Sequence, residues 1–147
     1  MTETHIRERK DVPQKDRWDL STLFASDDAW EQALARIPQL TERVTAYKGK
    51  LGDGADTLCA AFKAYEEADK LLETVSQYAS LQFSADMNDC AAQGRHDRSV
   101  MAITAMASST SFFIPELQAI PEQTLRAWIC APEFDDYRIF IEKLLYL

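Results

Sequence analysis

The sequence predicts an all-α fold, a multi-helix bundle of about five helices that includes one long helix, and three observations predict it. Apolar residues recur at steps of three and four along most of the chain, the period of a helix with one buried face. Alternating apolar and polar runs joined by hairpin dipeptides between β-branched segments are absent. The clearest turn cluster, KGKLGDG around Gly49, Gly52 and Gly54, separates two such periodic stretches.

The elements follow in order. Residues 1–17 are polar and charged, contain Pro13 and lack apolar periodicity, so they are expected to form a flexible N-terminal arm. Trp18, Leu20, Leu23 and Phe24 supply a first apolar anchor. Ser26, Asp27 and Asp28 offer capping oxygens and negative charge ahead of a helix, and Asp28 with Glu31 has capping-box spacing. Trp30, Leu34, Ile37, Leu40, Val44 and Tyr47 then mark one face, in a helix expected to break at Pro38 and to end near Lys48. After the glycine cluster, where Asp53 is placed to cap, a long helix is expected from about Ala55 to Ala85 on Leu58, Phe62, Tyr65, Leu72, Val75 and Ala79. About 30 residues at 1.5 Å each reach roughly 45 Å, long for a domain whose radius of gyration is roughly 15 Å.

Asp86, Asn88 and Asp89 signal another cap, and a helix rich in small residues is expected from Cys90 to about Ile114. Pro121 opens a short fourth helix to about Cys130, and the last helix is expected from about Glu133. That helix carries Phe134, Tyr137, Ile139, Phe140, Ile141 and Leu144, and it stops in LLYL without a polar stop signal. The reading is of a fragment of a larger all-α protein.

Composition excludes several function classes. Lys and Arg number 16 against 24 Asp and Glu in 147 residues, a net charge of −8, so neither nucleic acid nor an anionic membrane surface is an expected partner. The most apolar stretch, Val100 to Ala107, is too short to span a bilayer, and the charged N-terminus lacks the apolar core of a signal peptide. A cytoplasmic location is expected. Cys59, Cys90 and Cys130 are odd in number and form no Cys-x-x-Cys pair, which suggests reduced and mostly packed thiols.

Candidate chemistry is sparse. The only imidazoles are His5 and His96, and no His-Glu-x-x-His motif occurs, so no metal ligand is assigned. GKLGDG lacks the Gly-Lys-Ser/Thr ending of a phosphate-binding loop. The carboxylate neighbours Asp27/Asp28, Glu66/Glu67 and Asp135/Asp136 point in different directions on a helix and read as caps or solvated groups. Ser108, Ser109 and Ser111 lack a nucleophile-elbow context. No catalytic residue and no metal-binding residue is predicted, and no substrate-binding residue can be named.

Several stretches together carry a resemblance. Trp18-Asp19-Leu20-Ser21 with Leu23-Phe24, Asp27-Asp28-Ala29-Trp30-Glu31, Tyr47-Lys48-Gly49-Lys50-Leu51, Tyr78-Ala79-Ser80-Leu81 before Asp86 and Asp89, and Ser111-Phe112-Phe113-Ile114-Pro115-Glu116-Leu117 occur in this order. They resemble the N-terminal helical domain of oligoendopeptidase F, a bacterial zinc metallopeptidase of the thimet oligopeptidase-like superfamily. Ile114 departs from the acidic residue that the family commonly has before that proline. The resemblance implies that residues 18–147 are an N-terminal helical domain whose catalytic domain is absent from this chain. It implies endopeptidase cleavage of short peptides by zinc-bound water in the parent enzyme, with the zinc held by that missing C-terminal catalytic domain of the same polypeptide and none held here. This chain alone is expected to be inactive, and its role to be a non-catalytic lobe that helps wall the substrate channel. The alternative is a free-standing helical interaction or dimerisation module, a homo-oligomer formed through an exposed apolar stripe on the C-terminal helix.

Overall fold

The computed structural model describes residues 8–146, and its elements are α-helices and short 3-10 turns, with no strand among the described residues. The helices are α1 (Asp27–Thr45), α2 (Ala55–Ala85), α3 (Cys90–Ser109), α4 (Phe113–Ala119), α5 (Glu122–Ile129) and α6 (Arg138–Leu145). Residues 1–7 of the expected arm lie outside the described residues, and the rest of it holds two 3-10 turns, Arg9–Asp11 and Gln14–Asp16. The Arg17 guanidinium donates to the Val12 and Lys10 carbonyls at 2.9 and 3.2 Å, folding that stretch back on itself.

The long helix α2 is the axis of the molecule. Leu58, Phe62, Leu72, Val75 and Ala79 of the expected face are buried, Tyr65 is half-buried against the core, and Ala61 joins them. Helices α1 and α3 lie along α2 and also touch each other, making a three-helix layer over its C-terminal half. At the other half, Phe62 stacks on Tyr137 with centroids 4.9 Å apart and meets Phe113 edge-on at 5.1 Å, so α4 and the α5–α6 region cover it. Trp30 is wholly buried and its indole N–H donates to the Val75 carbonyl at 2.9 Å, which fixes the register of α1 on α2.

Local chemistry sets the boundaries. Ser26, not Asp28, caps α1, its Oγ accepting from the Ala29 N–H at 3.1 Å. Asp53 does not cap α2; Gly54 is the N-cap and supplies no side chain. Asp89 caps α3 as its position suggests, accepting from Ala91 and Ala92 at 2.9 and 3.2 Å. The turn after α1 needs Gly49, whose φ of 78° is left-handed and whose N–H donates to Glu116 at 2.6 Å, tying the turn to α4.

Four expectations are corrected. Helix α1 runs through Pro38 without a break; Leu34 forgoes one donor while packing of Ile37, Leu40 and Val44 holds the turns on either side. The segment read as one helix to Ile114 divides at Thr110–Phe112. There the Thr110 hydroxyl bonds back to Met106 at 2.8 Å, and Pro115 fits only in the first turn of a new helix. The last helix starts at Arg138 rather than near Glu133, because Pro132–Phe134 forms a 3-10 turn, with Arg138 donating to the Ile129 and Ala131 carbonyls around it. Trp18 is 58% exposed, so the first anchor rests on Leu20, Leu23 and Phe24, which pack against the core.

Taken with α4, the segment Cys90–Ala119 is apolar and long enough to cross a membrane by composition, which the shorter reading of Val100–Ala107 missed, and only 22% of that apolar window is buried. Two predictions follow from the helical layer. Trp30→Ala is expected to cost about 3–5 kcal/mol through the lost ring and the cavity it leaves, measured by urea denaturation; a loss under about 1 kcal/mol contradicts its anchoring role. Pro38→Ala is expected to stabilise the chain, by up to about 3 kcal/mol, since proline is that much poorer than alanine inside a helix. An equal or lower urea midpoint shows instead that α1 is shaped around the ring.

Candidate functional site

A concave, mainly apolar surface lies between α1 and α3. It is a groove of about 480 Å³ to which α1 contributes Leu34, Ile37 and Pro38 and α3 contributes Met101, Ala105 and Met106. The space is open where α3 presents Ala102 and Ala105, which are too small to fill it. Thr41 also borders the groove, but its hydroxyl is spent on the Ile37 carbonyl at 2.9 Å. Pro38 has no N–H, so the Leu34 carbonyl beside the groove has no i+4 donor. Such a surface can hold apolar side chains, with Glu42 and Arg98 at its border.

A charged network closes the end of the three-helix layer. Asp27 accepts from Tyr78 at 2.7 Å and Gln82 at 2.9 Å and faces Arg95 at 3.6 Å, while Arg95 also donates to Gln82 at 2.8 Å. Arg98 grips Glu31 with two bonds of 2.7 and 2.6 Å and lies 5.1 Å from the Trp30 ring centroid. Burial disfavours charge on Asp27, but the hydrogen bonds from Gln82 and Tyr78 and the Arg95 guanidinium hold its carboxyl below the usual range. Burial pushes the Tyr78 phenol up to about 12, helped by its bond to Asp27 and that group's charge. The hydrogen bonds from Arg98 likewise hold Glu31 below the usual range. Every member is engaged with another, which makes the network a clamp across α1, α2 and α3.

His96 stacks on Phe83 with centroids 5.1 Å apart and has Ser80 Oγ 3.5 Å from its Nδ1, a local packing role. His5 lies outside the described residues. Glu66 accepts from Tyr137 at 2.6 Å, Glu67 faces Arg43 at 3.8 Å, and Asp135 accepts from Arg138 at 2.6 Å, so the carboxylate neighbours serve the structure. Cys59 is buried, whereas Cys90 and Cys130 are exposed, which corrects the expectation of mostly packed thiols. Cys90 is the first residue of α3 and Cys130 the C-cap of α5. Among the described residues no three His, Cys, Asp or Glu side chains converge to hold a metal ion, so the residues here do not fit a zinc site.

The groove was legible only in part. Pro38 and the small residues of α3 are visible in the sequence, but their meeting across two helices is tertiary information.

The shifted groups give a signed pH dependence. A phenol whose pKa is raised on folding contributes stability that is complete below about pH 10, its unfolded value, and is lost as pH rises toward its folded value. Tyr78→Phe is therefore expected to lose about 1 kcal/mol at neutral pH and to show a shallower fall in melting temperature above about pH 10. An alkaline limb as steep as that of the unaltered protein contradicts this.

With the geometry in view, known proteins can be set beside it. No protein-family model matches the chain. It is 32% identical over 131 residues to "Oligopeptidase PepF" of Bacillus subtilis, covering 87% of this chain and 19% of that protein. It is 32% identical over 137 residues to "Oligoendopeptidase F homolog" of Borreliella burgdorferi, covering 93% of this chain and 23% of that protein. The fold matches the crystal structure of a candidate peptidase from Chlamydophila abortus with a TM-score of 0.84 at 22% identity, over 96% of this chain and 24% of that one. The chain thus spans about a fifth of the length of these curated relatives. Over nearly all of its own length it is related to the oligoendopeptidase F peptidases, and corresponds to a part of one.

Proposed function

We propose that this chain is the non-catalytic N-terminal lobe of a zinc metalloendopeptidase that hydrolyses short peptides in the cytoplasm, and that it helps wall the substrate channel. The lobe begins near residue 18, behind an arm formed by residues 1–17. One observation carries the reading. A folded unit without a convergent set of metal donors among its described residues is similar, over 87% of its length, to only 19% of a peptidase. Zinc, its ligands and the general base belong in this reading to the remaining four-fifths or so of such an enzyme. The lobe's contribution is a rigid helical wall, held by the Asp27–Arg95 and Glu31–Arg98 pairs.

A second reading, a free-standing dimerisation module, draws on α6, where Ile139 and Phe140 are exposed beside the buried Ile141. A chimera separates the two, with this chain replacing the matched 131-residue segment of the Bacillus subtilis peptidase. The chimera is expected to hydrolyse a short quenched-fluorescent peptide and to stop on addition of a zinc chelator, while the 147-residue chain alone hydrolyses nothing. An inactive chimera, together with a chain that doubles its mass with concentration, favours the module.

A further inference from the structure

The most unusual surface is the outward face of α3. From Ser99 to Pro115 the sequence SVMAITAMASSTSFFIP carries no charge, in a chain of which 27% of residues are charged. The large apolar side chains exposed on α3 are Val100, Met101 and Ile103, the last two 70% and 43% accessible, with the uncharged Thr104, Ala107 and Ser108 exposed beside them. At 100° per residue the three large ones fan across one side of the helix, with Val100 between the other two. Met101 borders the α1–α3 groove, and Ile103 borders a second groove, of about 740 Å³, between α2 and α3. The Ser76 hydroxyl on that second groove has no hydrogen-bond partner. An uncharged apolar face flanked by two concave surfaces is the composition of an interface core, not of a solvated helix.

We propose that this α3 face, with the two grooves beside it, is where the remainder of the peptidase polypeptide packs against the lobe. The inference rests on the lobe reading given above. The occupant follows from extent, since the relatives carry about four-fifths of their length outside the matched segment. In the lobe reading that remainder is tethered to this unit, which makes it the nearest protein surface available to the face. Interfaces between domains of one chain bury roughly 600–1,500 Å², more than three side chains supply, and the two flanking grooves provide the additional concave area. Lipid is the competing occupant for so apolar a helix, but the chain's charge of −8 opposes approach to an anionic bilayer.

Methionine oxidation reads this face directly, because attack by peroxide follows exposure. Met101 and Met87 are 70% and 69% exposed, and Met87 lies away from the face, in the turn between α2 and α3. Both are expected to oxidise at similar rates in the 147-residue chain, and Met101 alone to slow by about tenfold or more in the Bacillus subtilis chimera. The double variant M101E/I103E is expected to leave the melting temperature of the isolated chain nearly unchanged and to lower that of the chimera. Met101 reacting as fast as Met87 in a chimera that hydrolyses peptide overturns the inference and spares the lobe reading. Protected Met101 in an inactive chimera supports the interface and contradicts the proposed part of this lobe in peptide hydrolysis. Exposed Met101 in an inactive chimera overturns both. Protection of Met101 in the isolated chain by phosphatidylcholine vesicles assigns the face to lipid and overturns the proposal.

Discussion

The structure depends on one constraint: a 31-residue helix, α2, has apolar side chains along its length and cannot bury them by itself. Everything else is arranged to cover it. Helices α1 and α3 take its C-terminal half, and α4 with the α5–α6 region takes the half near Phe62. The buried bond from the Trp30 indole to the Val75 carbonyl sets how α1 sits on that axis. Because Val75 is wholly buried, an indole shifted by a turn would leave a polar N–H without a partner, at a cost of roughly 1–3 kcal/mol. The ion pairs at the end of the layer add direction to that placement; the Glu31–Arg98 pair and the Asp27 carboxylate are about half exposed, which limits what they contribute to stability.

Much of the fold could be read from the residues. The apolar spacing of α1 and α2 identifies the faces that are buried, and Asp89 marks the start of α3 because its carboxylate is the right length to reach two free N–H groups. The failures have physical causes. Pro38 is a strong local signal for a break, but it is overruled by the buried side chains on both sides of it. The divide at Thr110–Phe112 depends on a hydroxyl bonding to its own helix, a choice that helix period does not reveal. Asp53 looked like a cap by position, yet Gly54 takes the N-cap place itself.

The site was less legible than the fold. Composition names no nucleophile or metal centre to look for, and the resemblance to oligoendopeptidase F rests on aromatic and acidic residues that the structure explains. Trp30, Asp27 and Tyr78 all belong to the clamp across α1, α2 and α3. Phe113 and Glu116 tie α4 to the core and to the glycine turn. Those residues therefore mark a scaffold. The concave surfaces that scaffold creates arise where α3 meets α1 and α2, and which of its apolar residues face outward appears only when both partners are in place.

A functional account in which this segment supports chemistry carried elsewhere makes its strongest commitment about size. Antibody raised against the 147-residue chain, used on extracts of the source cells, tests that commitment most directly. The account predicts a reactive polypeptide several times larger than 16.7 kDa that co-purifies with chelator-sensitive hydrolysis of short peptides. A stable reactive species of 16.7 kDa, with no larger form and no associated peptide hydrolysis, contradicts it.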